Sequence, residues 1–177
     1  MGTNMNKMYT YNEGDELYTQ DYAVYPILKF IPKNAVVWEC AERKDLNGNI
    51  SKMLRSQGIK VIQSSIHHGD DFFKTKVPNG ITHIITNPPF SLKNQFLKRC
   101  YELDLPFALL LPIPALGGDI RVNLFKQGLE LLIFDKRISY IGSKKSPPFA
   151  SAWFCKDILP SSLIFENLNR EIGDYDE

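Results

Sequence analysis

The chain has 177 residues, 44% of them apolar and 23% charged, with a formal net charge of +1. That length suits one domain with a sizeable core, and the near-zero charge excludes a globally basic nucleic-acid binder, so any basic surface must be local. Cys40, Cys100 and Cys155 form no CxxC pair, and no apolar run is long enough to span a bilayer or to serve as a signal-peptide core; a zinc site and a disulfide framework are disfavoured, and a cytoplasmic setting is expected.

Residues 1–18 are polar and mixed, and read as a flexible arm. Thr19-Gln20-Asp21-Tyr22 opens an apolar-periodic run to Ile31, ended by Pro32. This predicts a helix capped by Thr19 or Asp21, with Pro26 as an early kink or start. Ala35 to Glu39 is a short strand ending in an acid. Asn49 to Gln57 carries Ile50, Met53 and Leu54 at helical spacing, with Gly58 as the stop. Lys60 to Ser64 is a second strand, and Gly69 to Phe73 is a turn.

Ile81 to Thr86 is an apolar, β-branched run that ends abruptly in Asn87-Pro88-Pro89-Phe90. Proline lacks the N–H that a central strand needs, so the strand must stop there. Two prolines fix φ twice, and the residue before them is pushed into an extended conformation. Asn87 is thereby held at a strand tip, the edge of an open α/β sheet where ligands sit. Its side-chain amide and a stiff row of carbonyls face outward there.

Ser91 to Leu103 is an amphipathic helix with Phe96, Leu97, Cys100 and Tyr101 inward. Pro106 to Pro112 is another buried strand, and a Gly117-Gly118 loop leads to a short helix near Ile120–Gln127. Three strand-like runs follow, at Leu129–Asp135, Arg137–Ile141 and Ala150–Cys155. Helices alternate with strands through the first two thirds, and closely spaced strands come late. This predicts an α/β fold with a mostly parallel sheet and an antiparallel hairpin at one edge. The domain runs over 19–168, followed by an acidic tail at 169–177. His67-His68 lacks a third ligand and reads as a solvated loop, and His83 as a core histidine. No metal site is expected.

Asn-Pro-Pro-Phe resembles the [DNS]-P-P-[YFW] signature of S-adenosylmethionine-dependent amino-methyltransferases, and the layout of residues 19–165 resembles their seven-stranded Rossmann-like fold. Leu131 to Ile138 and Ser146 to Ala152 resemble runs in small phage and bacterial adenine-N6 methyltransferases. The resemblance implies S-adenosylmethionine as cofactor and transfer of its methyl group to an exocyclic amine, adenine N6 in DNA. RNA adenine and a protein glutamine are alternative acceptors, and a methyltransferase-like binding protein without turnover is a rival of another class. Asn87 and Pro88 would polarise the amine, with Pro89 completing the catalytic turn and Asn87 also touching the cofactor, and Phe90 would stack on a base taken out of its helix.

The family's first strand ends in an acid, matched by Glu39, and Ala41 aligns with the alanine of the loop that follows. Glu42-Arg43-Lys44 stands where the family has glycine, and only Gly48 follows, late in a lengthened loop. The second strand ends in Gln63-Ser64 where the family has an acid for the ribose. Asp71 and Phe72 resemble the acid and aromatic that hold the adenine ring. Thr19 and Tyr22 lie where the family's preceding helix meets the cofactor carboxylate. Phe149, in the Ser146-Pro147-Pro148-Phe149 echo of the main turn, is a second candidate base contact. Lys144 and Lys145, with Arg121 and Arg137, are candidate phosphate contacts, although scattered cations more often serve solubility. The chain lacks length for a separate target-recognition region, so narrow DNA specificity would need a partner or a homodimer mate.

Overall fold

The computed structural model describes residues 17–141 and 148–170. The arm to residue 16, the tail from 171, and Lys144, Lys145, Ser146 and Pro147 therefore lie outside the described residues. The protein is α/β, with seven strands in one mixed sheet. In chain order the elements are α1 (Asp21–Leu28), β1 (Val36–Glu39), α2 (Asn49–Ser56), β2 (Lys60–Gln63), β3 (His83–Thr86), α3 (Lys93–Leu103), β4 (Phe107–Pro112), α4 (Asp119–Phe125), β5 (Glu130–Phe134), β6 (Ser151–Lys156) and β7 (Leu163–Glu166).

The strand order is β2-β1-β3-β4-β6-β5-β7. β1 pairs in parallel with β2 on one side and β3 on the other, and β4 continues the parallel run. β6 is antiparallel to both β4 and β5, and β7 is parallel to β5, so β6 alone is reversed. The reversed strand thus lies inside the sheet rather than at an edge. Its residues explain the position: Ser151 to Cys155 are all buried, so β6 needs cover on both faces and neighbours on both sides. The half-exposed β7, with Phe165 70% exposed, takes the edge instead.

Two apolar layers flank the sheet. Alternation along β1 sends Val37 to the layer under α1 and α2, and Trp38 to the layer under α3. β4 is buried throughout, as a strand covered on both faces must be. Trp153 of β6 donates from Nε1 to the Ala23 carbonyl at 2.9 Å and ties α1 to the sheet. α3 ends at Asp104, whose φ of 50° stops the helix in the left-handed region.

Local readings that differ from expectation have simple causes. The N-cap of α1 is Gln20, with no side-chain hydrogen bond, rather than Thr19 or Asp21. The run Arg137–Ile141 forms no strand; Ile141 makes one isolated bridge to Tyr18, which binds the end of the expected arm to the domain. His83 is half-buried, its Nδ1 lies 2.8 Å from Thr82 Oγ1, and burial lowers its pKa. No helix among the described residues is long and apolar enough to cross a membrane.

Candidate active site

From β1 the chain passes to β2 on one side and then crosses to β3 on the other, so a crevice opens between the C-terminal ends of β1 and β3. Such switch points are where open α/β sheets bind ligands. A cleft lies there, lined by Leu17, Tyr18 and Thr19, by Glu39 and the 41–50 loop, and by Asn87 to Phe90. It encloses about 600 Å³ of mostly narrow space up to its open mouth. As it stands the cleft has room for only a few waters.

The wall formed by β3 is rigid. Pro88 and Pro89 are buried, and Pro89, extended at φ −53° and ψ 128°, starts a 3-10 turn over Phe90–Leu92 that runs into α3. Asn87 Nδ2 donates to the Leu17 carbonyl at 2.5 Å. That contact fixes the orientation of the amide, because the flipped form would set two oxygens against each other. Asn87 Oδ1 is buried and has no hydrogen-bond partner among the described residues. An orphaned acceptor costs about 1–3 kcal/mol, so its persistence at a cleft wall points to a function.

The floor carries two buried carboxylates. Glu39, 2% exposed, accepts from Thr86 Oγ1 and from the Ala41 N–H, which joins the ends of β1 and β3. Burial, and then the nearby Glu42, push its pKa well above the ordinary carboxylate range. Its protonated form is therefore favoured in the folded state. Stability from this group is full below the unfolded pKa and is lost as pH rises through the folded one. Glu39→Gln removes the charge to be buried, so the variant should lose less stability than the parent between pH 5 and 8. Thermal melts across that range check this, and parallel Tm–pH curves would contradict it.

Glu42 is 6% exposed and fully engaged. Its Oε1 accepts from the Arg43 and Gly48 N–H groups at 2.8 and 3.0 Å. Its Oε2 accepts from Ser51 Oγ at 2.5 Å and Gln63 Nε2 at 2.8 Å. The carboxylate thus sits at the start of α2, the position where related open sheets receive a phosphate. A phosphorylated ligand would meet this charge, whereas a cation would be favoured. Gly48 is needed because a Cβ there would lie 2.1 Å from Glu42 Oε1.

Of the residues expected from sequence, Thr19, Glu39, Ala41, Asn87, Pro88, Pro89 and Phe90 come together around this cleft. Phe149 stands edge-to-face with Phe90 at 5.8 Å between ring centroids, and Tyr140 completes the aromatic group at 6.0 Å from Phe90. Three others lie elsewhere. Tyr22 is buried in the layer under α1, and its hydroxyl bonds the backbone of Ser139. Asp71 caps a turn by accepting from the Phe73 N–H and pairs with Lys74. Phe72 is buried, stacked on Phe96 at 4.8 Å.

Gln63 and Ser64 are also committed internally. Gln63 donates to Glu42 and to the Leu46 carbonyl, while Ser64 Oγ accepts from Trp38 Nε1. Arg121 is turned inward to the Ala115 carbonyl and Asn94. His68 lies 2.7 Å from the Lys44 carbonyl, and no group of three metal-binding side chains occurs among the described residues. Leu17, Glu42, Arg43 and Tyr140 escaped the sequence reading as site residues. Leu17 acts through its backbone, which no side-chain pattern signals. The chain matches no family model and no curated protein.

Proposed function

We propose that this protein is an S-adenosylmethionine-dependent methyltransferase of Rossmann-like fold that acts on an exocyclic amino group, adenine N6 in DNA. The observation that carries the reading is Asn87 Oδ1, a buried acceptor without a partner among the described residues, on a side chain of the cleft wall that Nδ2 anchors by donating to the Leu17 carbonyl. The strand order, which reverses at β1, supports the fold. The donor set fits the cofactor chemically. The Glu42 carboxylate at the floor favours a cation over a phosphate, and Thr19, Glu39 and Ala41 would hold it. The narrow free space requires the loop around Glu42-Arg43 to give way as it enters.

The bound cofactor would supply an electrophilic methyl group. The protein's share is to make an amine into a nucleophile. An exocyclic NH2 shares its lone pair with the ring and is flat. Asn87 Oδ1 and the Pro88 carbonyl accept its two hydrogens, which favours a pyramidal nitrogen with its lone pair exposed. Because the prolines and Leu17 hold both acceptors, little reorganisation is needed in the transition state. Phe90, with Phe149 and Tyr140 at its edges, offers an aromatic surface for the target ring.

A second reading, a methyltransferase-like binding protein without turnover, is favoured by one observation: Gln63 Nε2 donates to Glu42, which pins the loop lining the narrow cleft in place. Calorimetric titration with S-adenosylmethionine separates the two. Binding, followed by transfer of a labelled methyl group to DNA rather than to RNA or protein, is the expected result. No heat and no thermal shift at millimolar cofactor would leave only the second reading.

A further inference from the structure

We infer that Arg43, stacked on Tyr18 at the cleft, receives the carboxylate of an amino-acid-bearing ligand and closes with Tyr18 over it. The inference rests on the proposed function and names a specificity residue for it. The Arg43 guanidinium carbon lies 4.1 Å from the centroid of the Tyr18 ring, and both residues line the cleft. Arg43 Nε is buried and has no hydrogen-bond partner among the described residues. The same guanidinium's Nη2 reaches Asp45 Oδ2 at 3.3 Å, where Asp45 is 52% exposed. An exposed pair of that length is weak.

A guanidinium edge offers two parallel donors matched to a carboxylate, and bidentate pairs of this kind are the strong ones. Arg43 has one such donor idle and the other lightly held. A ligand carboxylate exchanging with Asp45 gains both. The cleft then presents a cation near Tyr18 and the Glu42 carboxylate at its floor, a polarity suited to a ligand with an anionic end and a cationic end. A nucleic-acid phosphate is the rival partner for Arg43. Its place in the β1–α2 loop, beside Glu42 and Gly48, favours the small ligand instead.

The test titrates S-adenosylhomocysteine and 5′-methylthioadenosine, which lacks the amino-acid portion, into the parent protein, Arg43→Gln and Arg43→Lys. Arg43→Gln should weaken S-adenosylhomocysteine by about tenfold or more and leave 5′-methylthioadenosine unchanged, which also shows that the variant is folded. Arg43→Lys should fall between. Equal losses for both nucleosides, or no loss for either, would overturn the role of Arg43. So would a loss seen only in a parallel titration of the same proteins with duplex DNA. If the parent protein binds neither nucleoside, the proposed function fails first and takes this inference with it.

Discussion

Asn87→Ala should lower the rate of methyl transfer about 10²- to 10³-fold, the cost of removing one preorganised acceptor or donor from a charge-developing centre. Cofactor affinity should hardly change, since the lost oxygen serves the amine. Folding should also survive. The substitution deletes a hydrogen bond to the Leu17 carbonyl but also deletes a buried acceptor that has no partner among the described residues, and these effects oppose each other within about 1 kcal/mol. Asn87→Asp is the sharper control. One carboxylate oxygen would then face the Leu17 carbonyl oxygen, so the acceptor set is kept while its anchor turns repulsive. That variant should be both slow and less stable. Initial rates with labelled cofactor, with calorimetric affinity and melting temperature measured on the same samples, check all three statements. An Asn87→Ala protein that transfers at the parental rate would remove the amide from the mechanism.

The rigid turn was readable in advance because its cause is local. Two prolines after an apolar run terminate a strand whatever surrounds them, and Asn87 to Phe90 do line the cleft. Glu39 was readable for the same reason, as an acid closing a short apolar strand. The errors come from contacts distant in sequence. Arg137–Ile141 has a strand's composition, yet β6 lies between β4 and β5 and leaves that run only a bridge to Tyr18. Phe72 has the spacing of a ring-covering aromatic, but Trp38 and Phe96 capture it for the core. Asp71, next to it, is spent on its own turn. The sequence reading has no strand at Leu163–Glu166, because Leu163-Ile164-Phe165 is apolar throughout and lacks the alternation that marks a half-buried strand. Charged Glu42 looked like a disruption of a glycine loop, whereas folding turns it into the loop's anchor.

That anchor carries the second large effect. Glu42→Ala would leave the Arg43 and Gly48 N–H groups, the Ser51 hydroxyl and the Gln63 amide without their shared acceptor. Water can reach some of them, so the loss should be about 3 kcal/mol rather than the sum of four buried orphans. For a domain of this size that corresponds to a fall of roughly 6–12 °C in melting temperature. The same geometry predicts a coupling. Gly48 has φ −72° and ψ 150°, which any residue adopts, so the nearest obstacle to a side chain is the Glu42 carboxylate, whose Oε1 lies 2.1 Å from the Cβ position. Gly48→Ala should therefore destabilise the parent protein. In the Glu42→Ala background it should be neutral, or gain about 0.4–1 kcal/mol by restricting the unfolded chain. A double-mutant cycle by chemical denaturation reads this directly. If the Gly48→Ala penalty is the same in both backgrounds, the carboxylate is not what shapes the loop, and the floor of the cleft must be held by other contacts.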